Sequence, residues 1–256
     1  MSAFGVAPCA RAVDPIGATH APVTLIVPAE EGGSADRIAQ SVERALRRAL
    51  DAEVVVKRIA GVEGIVGTNA LARAPRDGST LGLGLSTPMV GAKLLSTLDR
   101  YSPLEDFDWL ALLGTYPVAL TVRGDAEPQS FARWLAAARA APRPLRYGTY
   151  AHASLSHIAG EFLRLEQKAN LDQVSLPASR IMPMLAAGEI DFAMVGLPSA
   201  LAATAAPRAQ PMRVLAVSSA HRSPLLPGVP AFGAIWPGRE FVQWVAIVAP
   251  SHLPAP

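Results

Sequence analysis

Short apolar runs alternate with amphipathic stretches along this chain, and the alternation sets its expected architecture. Val23–Val27 (VTLIV) is a run of apolar residues and one threonine, Thr24, that Pro28 stops, which predicts a buried strand. Glu30, Glu31, Gly32 and Gly33 then make a loop, and Ser34 is placed to cap a helix by accepting a hydrogen bond from its first free N–H groups. Beyond Ser34, Ile38, Val42, Ala45, Leu46 and Ala49 recur every three or four residues, with Arg37, Glu43, Arg44, Arg47 and Arg48 on the other faces. A strand that feeds a helix through a glycine turn leaves backbone N–H groups beside a partial positive charge, an arrangement suited to an anion.

The same logic continues. Glu53–Ile59 predicts a second strand, Ile65–Arg73 a helix after the glycines at 61, 64 and 67, and Thr80–Leu85 a third strand. Strand and helix alternating at this pitch predict right-handed crossovers and a mostly parallel sheet. Tyr101–Asp108 reads as a polar connection, and Trp109–Leu113 and Val118–Val122 as two extended segments separated by Gly114–Pro117. A helix capped by Ser130 carries Phe131, Trp134, Leu135 and Ala138 on one face. Leu145–Thr149, the loop Tyr150–Ser154 and a helix bearing Leu155, Ile158, Ala159, Phe162 and Leu163 repeat the opening unit. Val174–Leu176, Ile190–Gly196 and Met212–Ser218 predict further strands, with helices at Arg180–Ala187 and Leu197–Ala206. Ser223–Pro230 is an extended connector, and Phe241–Ala249 is a last, strongly apolar strand.

Composition narrows the class. Half of the 256 residues are hydrophobic, enough for one large α/β domain or two lobes. The net charge is +2 and only 17% of residues are charged, with no basic stripe, so nucleic acid is not an expected partner. A single cysteine, Cys9, rules out an intramolecular disulfide. No apolar run is long enough to span a membrane. Residues 1–22 fit either the remnant of a secretory signal whose start lies upstream or an unstructured tail.

The search for reaction chemistry comes back empty. His152 and His157 are five residues apart and point different ways on a helix, so they do not predict a metal site. Gly84-Leu85-Ser86-Thr87-Pro88 lacks the second glycine of a nucleophile elbow, and no phosphate-binding or dinucleotide motif occurs. No catalytic residue, metal ligand or cofactor is expected. Small hydroxylic residues do gather in the loops at the strand ends: Ser34, Ser86, Thr87, Thr149, Ser154 and Ser199. Each suits a cap or turn, and together they suit a carboxylate ligand.

These residues carry a family resemblance. Val27-Pro28, Gly32-Gly33, Asp36-Arg37 and Ala39 form one motif, and the glycine-punctuated stretch Gly61–Leu81 a second. Tyr101–Phe107, Tyr147–Leu163, Gly188–Phe192, Leu197–Ala200 and Leu215–Pro230 complete a set in order and at family-like spacing. The chain resembles the extracytoplasmic solute receptors of tripartite tricarboxylate transporters, the Bug-type receptors, over about residues 23–256. The resemblance implies an α/β, two-lobed periplasmic-binding-protein fold of the Venus flytrap type, type II-like. Lobe one would hold residues 23–113 and 232–256, and lobe two residues 114–231. It implies a monomeric periplasmic receptor without enzymatic activity that closes on a small-molecule carboxylate or related metabolite and delivers it to membrane permease subunits; the alternative is a diverged or truncated two-lobed ligand-binding or sensor protein with no transport role. The residues expected to contact ligand are Ala29, Gly32, Gly33, Ser34, Asp36, Ser86, Thr87, Thr149, Tyr150, His152, Ser154, Ser179 and Gly196, while His157 is expected to pack at a loop base.

Three departures from the family pattern shape further expectations. Ala29-Glu30-Glu31 stands where the first loop is usually aromatic and proline-rich; two acids there would repel an anion, so the glutamates are expected to point away from the ligand. Val174–Ala178 lacks the family's Val-Pro-Tyr-Lys-Gly stretch. Relatives continue past the equivalent of Pro256 with helices that finish lobe one, so those C-terminal helices are expected to be missing and the last strand, Phe241–Ala249, to expose apolar surface.

Overall fold

A computed structural model describes residues 22–91, 100–152, 154–206 and 211–253. The expectations for residues 1–21, including Cys9, and for the last three residues lie outside this range. The elements are β1 (Val23–Val27), α1 (Ser34–Leu50), β2 (Val54–Arg58), α2 (Ile65–Ala72), β3 (Thr80–Leu85), β4 (Phe107–Arg123), α3 (Phe131–Ala140), β5 (Leu145–Thr149) and α4 (Leu155–Leu165). They continue with β6 (Leu171–Ser175), α5 (Ala178–Ala187), β7 (Phe192–Gly196), α6 (Leu197–Ala205), β8 (Met212–Val217), α7 (Phe232–Ile235) and β9 (Val242–Pro250). A 3₁₀ turn at Val62–Gly64 precedes α2, and a π turn at Thr87–Gly91 follows β3.

Two sheets share one strand. The first runs β2-β1-β3-β9-β4, and the second places β4 between β8 and β7, followed by β5 and β6. The N-terminal half of β4 pairs with β9 from Phe107↔Pro250 to Pro117↔Val242. Its C-terminal half, from Val118 onward, pairs with β7 and β8.

Each sheet packs a buried apolar cluster against both of its faces, with the N-terminal half of β4 left exposed. Alternation along β1 sends Leu25 and Val27 to one side, against Ala35, Ala39, Val54 and Val245, and Ile26 to the other, against Ile65, Leu71, Phe107 and Val248. In the second sheet, Phe192 and Met194 face Trp134, Tyr147 and Phe162, while Ala193 and Val195 face Ile181, Leu185 and Leu197. Phe232 and Trp236 of the α7 region join the Trp134–Phe162 core before the chain enters β9.

Four expectations are corrected. The segments Trp109–Leu113 and Val118–Val122 are one 17-residue strand, because β-bulges beside Ala111 and Gly114 absorb the irregularity that the sequence reads as a break. The sheets are mixed: β1, β2 and β3 are parallel, as are β5, β6 and β7, but β4 and β9 run antiparallel to their neighbours. Ser34 is not a cap. Gly33 occupies the cap position of α1, and Ser34 is already helical. The last strand is not exposed, since Val245–Ala249 are buried between β3 and β4. The exposed apolar ridge lies on β4 instead, at Trp109, Leu110, Leu112 and Leu113.

Candidate functional site

The cleft is built where the carboxyl ends of β1 and β3 meet the carboxyl ends of β5 and β7, the place where open α/β sheets present loops to ligands. Four contacts close the two sides on each other. Ser34 Oγ lies 3.0 Å from Ser199 Oγ at the start of α6. Glu30 Oε2 accepts from the Ala178 N–H at the start of α5, at 3.1 Å. Glu63 Oε1 accepts from the His152 N–H, at 2.9 Å. Tyr150 donates its hydroxyl to Gln243 Oε1 of β9, at 2.6 Å.

Gly196 explains how the first contact comes so close. A Cβ there would meet Ser34 Oγ at 2.4 Å and the Tyr116 ring at 2.7 Å, so any side chain would wedge the two sides apart. Gly32 has a φ of 83°, in the left-handed region that glycine adopts without strain. The turn it makes is fixed from inside: the Gly32 N–H donates to Asp36 Oδ2 at 3.0 Å, and Arg58 Nε donates to Asp36 Oδ1 at 2.6 Å.

Behind these contacts lies a cavity of about 170 Å³. A cavity of about 150 Å³ holds a benzene molecule, so this one suits a metabolite of similar or slightly larger bulk. Ala29, Glu30, Gly33, Ser34 and Ala35 line one wall, and Gly61, Val62, Glu63 and Gly64 another. Ser86 and Thr87 form a third side, and Tyr116, Tyr150, Ala151, Ala178 and Gln243 the remainder. Ser34, Ala35 and Asp36 are in the first turn of α1, where backbone N–H groups have no intrahelical acceptor. A second recess, of about 280 Å³, shares Gly33, Ser34, Tyr150 and Ala178 and adds Gly32, Arg37, Ser179, Gly196 and Ser199.

The floor of the cavity is a polar cluster in an apolar strand. Gln243 is 3% exposed, its Oε1 accepts from Tyr150 and, at 3.3 Å, from Tyr116, and its buried Nε2 has no partner. Burial raises the pKa of both phenols, that of Tyr116 well above the ordinary value, so both remain hydrogen-bond donors through neutral pH.

The structure sorts the sequence candidates into three groups. Ala29, Gly33, Ser34, Ser86, Thr87 and Tyr150 line the cavity. Gly32, Ser179 and Gly196 line the second recess, together with Gly33, Ser34 and Tyr150. Asp36, Thr149, His152 and Ser154 line neither and have framework roles. Asp36 ties Gly32 and Arg58, and Thr149 Oγ1 accepts from Gln173 at 2.6 Å. Ser154 caps α4 by accepting from the His157 N–H and donates to the Ala151 carbonyl. His157 sits at the base of this loop, its Nδ1 against the His152 carbonyl oxygen. Glu31 is exposed and away from the cavity, but Glu30 does not point away: it reaches across the mouth. Glu63, Tyr116 and Gln243 are site residues that the sequence reading misses. The signal for Gln243 is a lone amide in an otherwise apolar strand. Among the described residues no cluster of His, Cys, Asp and Glu is arranged to hold a metal ion.

A two-sheet α/β body that closes loop against loop over a small cavity defines the class of two-lobed periplasmic binding proteins. Within that class, residues 38–255 match the family described as the tripartite tricarboxylate transporter family receptor, and the chain belongs to that family. It is 32% identical over 238 residues to a protein encoded in the tcbD-tcbE intergenic region of Pseudomonas sp. strain P51, covering 91% of this chain and 69% of that one. It is 31% identical to the protein BugT of Bordetella pertussis, covering 90% of this chain and 70% of the relative. A solved structure of an R. palustris protein with adipate superimposes with a TM-score of 0.83 at 27% identity, over 91% of this chain and 78% of that one. The periplasmic binding protein BugD gives the same TM-score at 25% identity, over 92% and 78%.

Proposed function

We propose that this chain is an extracytoplasmic receptor that binds a small carboxylate between its lobes and hands it to permease subunits in the membrane. The observation that carries the reading is the cavity itself. Its walls bring the free N–H groups of the α1 N-terminus together with the hydroxyls of Ser34, Ser86 and Thr87 and the unpartnered Gln243 amide, all of them suited to a carboxylate. The adipate held by the R. palustris relative supports the ligand class. Family membership supports the periplasmic location and the permease partner. No helix of the described residues is long and apolar enough to cross a membrane.

In this reading the lobes comprise about residues 23–113 with 242–253, and about residues 118–241. They hinge where β4 and the start of β9 pass side by side, and the protein acts as a monomer without catalysis. Ala29, Gly33, Ser34, Ser86, Thr87, Tyr150 and Gln243 contact the ligand, and Gly196 permits closure. Titration calorimetry of the purified chain with small mono- and dicarboxylates, adipate among them, tests it. The expected result is saturable one-to-one binding of at least one of these acids. A folded protein that binds none of them would overturn the proposal.

A further inference from the structure

Helix α1 carries a cationic stripe on its outer face. Arg37, Ser41, Arg44 and Arg48 recur at four- and three-residue spacing, which at about 100° per residue places them within an arc of roughly 60°. The stripe is about 17 Å long at a rise of about 1.5 Å per residue. Ala35, Ile38, Ala39, Val42 and Leu46 lie on the opposite face, packed against the first sheet. The two acids of the helix are already engaged, Asp36 by Arg58 and Glu43 by Arg47. Arg37, Arg44 and Arg48 are exposed, and none of the three is ion-paired among the described residues. Arg44 Nη2 donates to Ser41 Oγ, at 3.3 Å, within the stripe itself. These three uncompensated charges on one helix face exceed the net charge of the whole chain, +2.

The stripe leads away from the cleft. Its first residue, Arg37, lines the second recess together with Gly196 and Ser199. Arg48 lies in the last turn, just before the chain enters β2 at the far edge of the sheet, where Val54 pairs with Val23. The helix thus begins at the contact of Ser34 with Ser199 and presents its cations along the flank of lobe one. A lipid surface is a poor match for it. The apolar face of α1 is packed in the core, so the helix cannot lie in a bilayer interface. Three cations also fall short of the cluster of about four to eight that marks an anionic-lipid site. Guanidinium groups held at fixed helical spacing instead match carboxylates on another protein, which they engage bidentately.

We infer that the Arg37–Arg44–Arg48 face of α1 is a docking surface for an acidic, extracytoplasmic surface of the membrane permease. This inference rests on the receptor reading above and adds the face that makes the contact and the chemistry of its partner. Ion pairs at the rim of an interface act mainly on the rate of encounter and on the choice of partner, and they weaken with salt. Because the stripe starts where the two lobes meet, a partner seated on it lies beside the line along which the cleft opens.

Receptor-dependent uptake tests it. Right-side-out membrane vesicles from a source strain that lacks this gene are supplied with the purified chain and radiolabelled adipate, or the acid bound most tightly in the titration above. R44E/R48E and R44K/R48K are compared with wild type and with R73E/R76E, which makes the same change of charge at two exposed arginines outside the stripe. Arg37 is left intact because it lines a recess of the cleft. All of these should bind the acid as wild type does. The concentration of chain that gives half-maximal uptake should rise about tenfold or more for R44E/R48E and stay within about twofold of wild type for the other two variants. Raising the ionic strength from about 0.01 M to about 0.15 M should weaken wild type and R44K/R48K but not R44E/R48E. Wild-type uptake with R44E/R48E, or an equal loss with R73E/R76E, overturns the inference and leaves the receptor reading standing. Sedimentation of wild type, but not of R44E/R48E, with liposomes of the extracted vesicle lipids would make the stripe a lipid contact and overturns it too. If wild type binds acid but supports no uptake, the permease partner falls with the inference; if it binds no acid, the receptor reading falls as well. R44Q/R48Q takes the place of R44E/R48E if the latter fails to fold.

Discussion

At the scale of single residues, Gln243 joins the cavity to the structure around it. Its Oε1 gathers two phenols, and its Nε2 is a buried donor without a partner. Such a donor carries a penalty of about 1–3 kcal/mol, which a ligand carboxylate would relieve. Gln243→Glu keeps an acceptor for Tyr116 and Tyr150 but replaces the donor with a negative charge. Its carboxylate affinity by calorimetry should fall at least about tenfold, while the protein remains folded by circular dichroism. Gly196→Ala tests closure separately. The added methyl would sit 2.4 Å from Ser34 Oγ, so the lobes cannot meet as they do. Affinity should drop by a similar factor, about 1–2 kcal/mol, and ligand-induced compaction in X-ray scattering should be lost. Ser34→Ala removes only the hydroxyl that faces Ser199 and should have a smaller effect than Gly196→Ala.

At the scale of elements, the β1–α1 connection shows how a cavity-lining loop is held by residues that do not themselves line the cavity. Asp36 is 1% exposed and spans Gly32, Gln40 and Arg58. Arg58→Ala leaves that carboxylate with its backbone and amide donors but without its cation. Because Arg58 is itself a third exposed, the expected loss in urea unfolding is about 1–3 kcal/mol, below that of a fully buried pair. This loop was legible in the sequence: the apolar run, the two glycines and the helical periodicity place β1, the turn and α1. The role of Ser34 was not legible, because a serine before a helical pattern reads as a cap, and only the approach of Ser199 from another element shows otherwise. The strand and helix content of both sheets was likewise legible, since each core position follows a local period. The single span of β4 was not: its bulges at Ala111 and Gly114 break the local pattern, and the pairing with β9 that keeps it continuous is long-range. Glu63 and Gln243 escaped for the same reason, their significance lying in partners on other elements.

At the scale of the whole molecule, all four tyrosines share one electrostatic fate. Burial raises the pKa of Tyr101 to about 12 and pushes Tyr116, Tyr147 and Tyr150 upward as well, with Glu161 adding to the shift at Tyr147. A phenol near pKa 10 in the unfolded chain that binds its proton more tightly when folded stabilises the fold fully below about pH 10 and loses that contribution as pH rises through the folded value. The native protein should therefore show less phenolate absorbance than free tyrosine at about pH 10.5, and stability measured by urea unfolding should decline from about pH 10 upward. Ordinary phenolate titration in the folded protein would contradict this packing. The other feature at this scale is the place where the two sheets join. Tyr116 and Gln243 are register partners on β4 and β9, so the cavity floor lies on the axle about which the lobes would swing. Points on an axle keep their separation as a door moves, whereas points farther out travel with it. A carboxylate seated on the axle would be met while the door is still ajar. Rapid mixing should accordingly resolve a fast step that Gln243→Glu removes, followed by a slower step that Gly196→Ala changes.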